Sequence, residues 1–127
     1  MQIEFCPKAG WDGEDLIRVF GGTREEFAAF CAVLHELADG EGPPLELEAI
    51  PGFEGVGGIR VVFQVGARSR GLRRVREDAF DCELDREGWR TAAERAEGVA
   101  ENLDVSSFNW LIDGSEVSLL LSVKGAW

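Results

Sequence analysis

The sequence predicts an α+β fold: a mixed or antiparallel sheet of about five to seven strands, with two amphipathic helices on one face. Two segments carry apolar residues at helical spacing, and several short segments alternate apolar with polar residues. Turn residues separate these segments, which gives the order β-β-α-β-β-β-α-β-β. The length of 127 residues suits a single domain spanning residues 1–127.

The amino-terminal part is predicted to form a hairpin followed by a helix. Residues 2–6 and 14–20 alternate and read as two paired strands. Thr23 and Glu26 have the spacing of a capping box, so a helix is expected over 24–39. Its predicted buried stripe consists of Phe27, Phe30, Cys31, Leu34, Leu37 and Ala38.

The middle of the chain is predicted to supply three strands. Residues 45–50, 59–65 and 79–84 alternate, and 59–65 has the clearest pattern. The glycine-rich stretch 51–58 is expected to be a mobile connection, because it precedes a strand and lacks the lysine of a phosphate-binding loop. The arginine-rich stretch 66–78 is expected to be a loop or an extended hairpin tip.

A second helix is predicted over 86–103, with Asp85 as its N-cap. The chain then reads as two strands, 108–112 and 116–123, joined through Asp-Gly, which is a strong hairpin signal. Leu120 falls on the face expected to be solvated, so the last strand should be central or covered on both sides. The predicted buried stripe of the second helix consists of Trp89, Ala92, Ala93, Ala96, Ala100 and Leu103.

The charge is strongly negative and unevenly distributed. The net charge of −11 argues against a nucleic-acid binder and against binding at a membrane surface. Residues 60–76 are the exception, with six arginines and no acidic residue. Arginine favours phosphate, but this segment lacks interleaved aromatics, so we expect it to pair with neighbouring carboxylates instead.

Catalytic and metal motifs are not found in the sequence, and no cofactor is expected. Three cysteines lie far apart without a CxxC pair, and Cys31 and Cys82 are expected to be buried and reduced. His35 stands four residues after Cys31, which permits a Cys/His pair, yet no nucleophile motif accompanies it. With no signal peptide and no bilayer-spanning stretch, a cytoplasmic location is expected.

Paired carboxylates on neighbouring strands suggest a binding surface. If strands 45–50, 59–65 and 79–84 form a meander, their outward residues make a mixed acidic face with an apolar centre. We expect this dense negative patch to recognise a basic protein partner, with charges setting the encounter rate. The candidate partner-binding residues are Glu46, Glu48, Arg60, Val62, Asp81 and Glu83.

The carboxy-terminal third carries a resemblance. Glu87-Gly88-Trp89 opens a helix, and Phe108-Asn109-Trp110-Leu111 is followed by a turn, by residues 117–122 and by Gly125-Ala126-Trp127. This pattern is similar to small acidic bacterial proteins of unassigned function, some of which resemble the immunity proteins of polymorphic toxin systems. The resemblance implies a non-enzymatic protein that binds and neutralises a cognate toxin.

Two other functions are compatible with the sequence. The acidity can serve solubility alone, in an accessory domain. Alternatively, one of the carboxylate pairs can serve a small enzyme, with or without a metal ion. The sequence leaves open whether Trp127 docks on the body of the protein or contacts a partner.

Overall fold

The structure is a computed structural model that describes residues 1–40, 43–103 and 107–124. Two helices, nine strands and two short 3₁₀ turns lie within these residues. The elements are β1 Gln2–Cys6, β2 Asp15–Phe20, α1 Arg24–Ala38, β3 Leu45–Glu46, β4 Glu54–Gly55, β5 Arg60–Val65, β6 Gly71–Arg76, β7 Ala79–Leu84, α2 Arg86–Ala100, β8 Phe108–Ile112 and β9 Val117–Ser122.

All nine strands belong to one mixed sheet. Their order is β3-β5-β7-β6-β9-β2-β1-β4, and β8 also pairs with β9. Strands β5 and β7 run parallel, as do β2 and β9, while the β1–β2, β6–β7 and β8–β9 pairs are antiparallel hairpins. The α+β class and the mixed sheet are confirmed, but the sheet has more strands than the predicted five to seven.

The sheet curls into a half-barrel whose inner face is apolar. Three strands separate β1 from β7 in the sheet order, yet the rings of Phe5 and Phe80 lie 5.1 Å apart. Side chains of both helices join the inward residues of the strands in one buried cluster. This cluster joins residues of the predicted α1 stripe to inward residues of the strands: Phe27, Phe30, Leu34 and Leu37 on the helix, and Val61, Phe63, Phe80 and Leu119 on the sheet.

Both helices form where the spacing of apolar residues predicts them. The six residues of the predicted α1 stripe are buried, and Thr23 and Glu26 make both hydrogen bonds of a capping box. Asp85 caps α2 by accepting from the Gly88 backbone N–H. The second helix ends at Ala100, so the last turn predicted up to residue 103 is not helical.

Two predicted connections are instead structured. The stretch expected to be a mobile link contains β4, which pairs in parallel with β1 through Glu54 and Gly55. The arginine-rich stretch contains β6, which lies between β7 and β9. Strand β6 was missed because Leu72 is its only fully inward apolar residue, and the next inward position is Arg74, whose guanidinium covers the ring of Phe5.

The last strand is central, as Leu120 predicts. β9 pairs with β2 along one edge and with β8 and β6 along the other, and all six of its residues are buried. On the outer face, Leu120 has Arg18 and Trp110 as its cross-strand neighbours. Trp127 lies outside the described residues, and neither described helix is long and apolar enough to cross a bilayer.

Candidate functional site

Three of the predicted binding residues lie side by side on the outer face. Glu46 of β3 is paired with Val62 of β5, and Val62 is paired with Asp81 of β7. The three strands are therefore adjacent, as the predicted face requires. They do not form a meander, because β5 and β7 are parallel and β6 forms the hairpin with β7 from the other side.

Glu48 occupies a different position from the one predicted. The chain leaves β3 after Glu46 and enters a 3₁₀ turn over Leu47–Ala49, which buries Leu47 completely. Glu48 Oε2 accepts a hydrogen bond from the Val61 backbone N–H at 3.2 Å, so this carboxylate binds the edge of β5 next to the short β3 pairing. The predicted strand over 45–50 is wrong beyond residue 46, because alternation over so few residues does not distinguish a strand from a turn.

Each of the four predicted carboxylates has an arginine partner. Arg60 lies 3.5 Å from Glu46 and 3.6 Å from Glu48, measured between side-chain nitrogen and oxygen. The corresponding distances are 3.4 Å for Arg73–Asp81 and 3.6 Å for Arg70–Glu83. Arg76 also pairs with Asp78, so the expected pairing with neighbouring carboxylates is confirmed for four of the six arginines in the arginine-rich segment.

These ion pairs change the expected character of the face. Four carboxylates are matched by three arginines, so the face is close to neutral and is not the dense negative patch that the sequence predicted. The arginines are about half exposed, and pairs of this kind contribute about 0–1 kcal/mol each to stability. These ion pairs therefore orient the side chains of the face but add little to the stability of the fold.

An apolar depression of about 490 Å³ opens on this face. Val62 and Val75 are prominent in it, and Val75 is 57% exposed. An apolar centre surrounded by charged residues is the usual anatomy of a protein-binding surface. The depression is lined by Pro44, Glu46, Arg60, Val62, Gln64, Val75, Arg76, Ala79, Phe80 and Asp81.

A second cleft, of about 440 Å³, was not predicted. It brings together Trp11 from the β1–β2 loop and Trp110 from β8, two residues that are remote in sequence. Trp11 is the most exposed large apolar residue described, at 86%. The only sequence signal was a tryptophan followed by acidic residues in a predicted turn. The cleft is lined by Trp11, Asp12, Glu14, Trp110, Asp113, Gly114, Ser115 and Ser118.

Glu14 fixes the loop that carries Trp11. Its Oε2 accepts from the Asp12 backbone N–H at 3.0 Å, and its Oε1 accepts from the buried Ser118 hydroxyl at 3.1 Å. Hydrogen bonds from its own backbone N–H, then from Asp12 and Ser118, lower the pKa of this carboxyl. Glu14 is therefore charged at neutral pH and anchors the loop to β9.

His35, the candidate partner of Cys31, links the two helices instead. His35 Nε2 is bonded to Glu97 Oε1 on α2, so the histidine pairs with a carboxylate across the helix interface. Burial, followed by the charge of Glu97, raises the pKa of the Cys31 thiol. A catalytic cysteine needs a lowered pKa, so the arrangement does not resemble an activated nucleophile.

Thiol labelling tests the burial of the cysteines. Cys31 and Cys82 are buried, and burial raises the pKa of both thiols, whereas Cys6 is partly exposed. We expect a thiol reagent at neutral pH to label at most one cysteine, Cys6, before global unfolding, and two more in denaturant. Mass spectrometry of the labelled native protein provides the count. Rapid labelling of Cys31 without unfolding would restore a reactive-thiol role.

Within the part of the chain that the structure describes, no group of three or more His, Cys, Asp or Glu residues has metal-binding geometry. Comparison of the chain with protein-family models, curated proteins and solved structures gives no match.

Proposed function

We propose that this chain is a non-enzymatic protein-binding module, of the immunity type, that neutralises a basic toxin by docking on it. The observation that carries this proposal is the depression around Val62 and Val75 on the outer face. Val75 is exposed and Val62 is half-buried, and paired charges from Glu46, Arg60 and Asp81 border them. An interface needs such an apolar centre, because burial of apolar area is the main favourable term in association.

The charged residues of this protein affect partner binding both at long range and within the interface. The net charge of −11 attracts a basic partner over the whole molecule and raises the association rate, an effect that weakens as salt is added. At the face itself the carboxylates are already paired with arginines, so a partner must exchange those pairs for its own. The whole acidic surface therefore sets the association rate. Burial of the two valines sets the dissociation rate, and with it the lifetime of the complex.

The first test concerns toxin neutralisation. The probe is the product of the gene immediately upstream of this one, which the proposal expects to be a basic protein. It is expressed in a heterologous bacterium alone and together with this chain. We expect that protein to arrest growth when expressed alone, and co-expression to restore growth. Growth arrest without rescue, or no arrest at all, would contradict the immunity function.

The second test concerns the face and uses two valines as a matched pair. Val75→Asp places a charge in the depression, whereas Val56→Asp makes the same change at another exposed valine, 40% exposed and outside it. We expect Val75→Asp to weaken binding of the same upstream-encoded protein by about tenfold or more, because the charge loses water at the interface. Val56→Asp should stay within about twofold.

Surface plasmon resonance at low and moderate salt separates the two contributions. Val75→Asp is expected to act mainly on the dissociation rate, and salt on the association rate. Equal effects of the two aspartate variants would show that this face is not the docking surface, even if rescue succeeds. Glu48 is a poor probe, since its carboxylate also holds the Val61 backbone N–H.

A further inference from the structure

The cleft between Trp11 and Trp110 combines two features that bear on ligand binding. One is the large aromatic side chain of Trp11, which is 86% exposed and so contributes little to the protein's own core. The other is an excess of negative charge: Asp12, Glu14 and Asp113 line the cleft, and Arg95 at its border offsets only part of this charge through its pair with Asp113. The Val62 depression, in contrast, is charge-balanced.

An exposed tryptophan ring beside carboxylates favours a positively charged ligand. The face of a tryptophan ring attracts a positive group through its quadrupole, and carboxylates beside the ring add charge and hydrogen-bond acceptors. Among protein side chains, the guanidinium of arginine fits best, because it is planar, stacks on aromatic faces and donates in a fork to a carboxylate. A volume of about 440 Å³ is ample for one such side chain.

We propose that this cleft binds an arginine side chain of a basic polypeptide. Trp11 supplies the stacking surface, and Asp12 and Asp113, both exposed, supply acceptors for the guanidinium. Glu14 supplies charge and keeps the Trp11 loop in place, since both of its oxygens already accept hydrogen bonds. None of these residues belongs to the Val62 depression, so the proposal stands or falls separately from the proposed function.

The chain already shows one guanidinium at the border of the cleft. Arg95 of α2 donates to the Trp110 carbonyl at 3.3 Å, and its Nη1 lies 3.8 Å from Asp113 Oδ1. Asp113 remains 67% exposed, so it can accept from a second guanidinium on its open side. Arginine also stacks on aromatic rings elsewhere in this chain, with Arg18 4.2 Å from the ring centre of Phe20.

The experiment uses the full chain and a five-residue glycine peptide with one central arginine. The control peptides replace the arginine by citrulline, its neutral isostere, or by lysine. The indole N–H signals of the tryptophans in NMR spectra report binding, assigned with Trp11→Phe. We expect the arginine peptide to shift the signals of Trp11 and Trp110. The signal of Trp89 should stay unchanged, because that residue is fully buried and its N–H is bonded to the Gln64 carbonyl.

Two variants with a matched control locate the site. Trp11→Ala is expected to weaken arginine-peptide binding about tenfold, the range of a partly desolvated cation–π contact, without changing the melting temperature. Asp113→Asn and Glu25→Gln each remove one negative charge, but Glu25 lies on α1 outside the cleft. We expect about a threefold loss for Asp113→Asn and less than a 1.5-fold loss for Glu25→Gln.

Several outcomes would overturn the proposal. If the citrulline peptide binds as tightly as the arginine peptide, the cleft does not recognise the positive charge. If the lysine peptide binds as tightly, the cleft does not recognise the guanidinium group. If Asp113→Asn and Glu25→Gln weaken binding of the arginine peptide equally, the overall negative charge of the protein explains the binding, and the cleft does not. Shifts of Trp11 and Trp110 with a neutral disaccharide but not with the arginine peptide would assign the cleft to a sugar.

Discussion

Replacing Phe63 with alanine is expected to lower the free energy of unfolding by about 3–5 kcal/mol. The side chain is fully buried on the inner face of β5, and its ring centre lies 4.8 Å from that of Trp89 on α2. The loss combines the transfer of the ring to water with the cavity it leaves. Trp89 cannot readily fill that cavity, because its indole N–H is held by the Gln64 carbonyl at 3.0 Å.

Urea denaturation followed by circular dichroism measures this loss. Phe108→Ala is the matched control, because it makes the same chemical change at a residue that is 45% exposed. We expect it to cost less than about half as much as Phe63→Ala. An unchanged midpoint for Phe63→Ala would show that the inner face of β5 has been assigned wrongly.

Gly71→Ala is expected to destabilise the protein by about 2–5 kcal/mol, through two separate causes. Gly71 begins β6 with φ at +80°, a conformation that costs a residue with a side chain about 1–2 kcal/mol. A Cβ atom there would lie 2.4 Å from the Cβ of Ser115, so the β8–β9 turn must also shift. Such overpacking costs about 1–3 kcal/mol.

Gly114→Ala separates the two causes. Gly114 has a similar φ of +73°, but a Cβ atom at this position meets nothing within 4 Å among the described residues. Only the backbone term applies there, so we expect a loss of about 1–2 kcal/mol. If thermal and urea denaturation give equal losses for the two variants, the close approach of β6 to the β8–β9 turn is not rigid.

Local patterns determined much of this protein. The stripe from Phe27 to Ala38 and the Thr23–Glu26 capping box predict α1, because helical spacing and end capping depend only on residues a few positions apart. The hairpin around Gly114 follows from its turn residues in the same way. Leu120 indicates a strand buried on both faces, because an apolar residue on a solvated face would be unfavourable.

Only the tertiary structure decided which distant segments meet. Strand β6 has a polar sequence. It is stable as a strand because β7 and β9 hydrogen-bond to its two edges, and because Arg74 stacks on Phe5 across the curled sheet. The same curvature and strand order pair the arginines with carboxylates, which neutralises the face that composition alone predicts to be acidic.

The cleft between Trp11 and Trp110 shows why local patterns do not predict which distant segments come together. Trp11 lies in a loop and Trp110 in a strand near the other end of the chain, and each has an unremarkable local pattern. They line one cleft because β2 pairs in parallel with β9, and because Ser118 of β9 donates to Glu14 just before β2. Short-range periodicity predicts the helices, the final hairpin and the buried face of strands that alternate clearly. Strand order, and strands without such alternation such as β6, depend on the packing energy of the whole sheet.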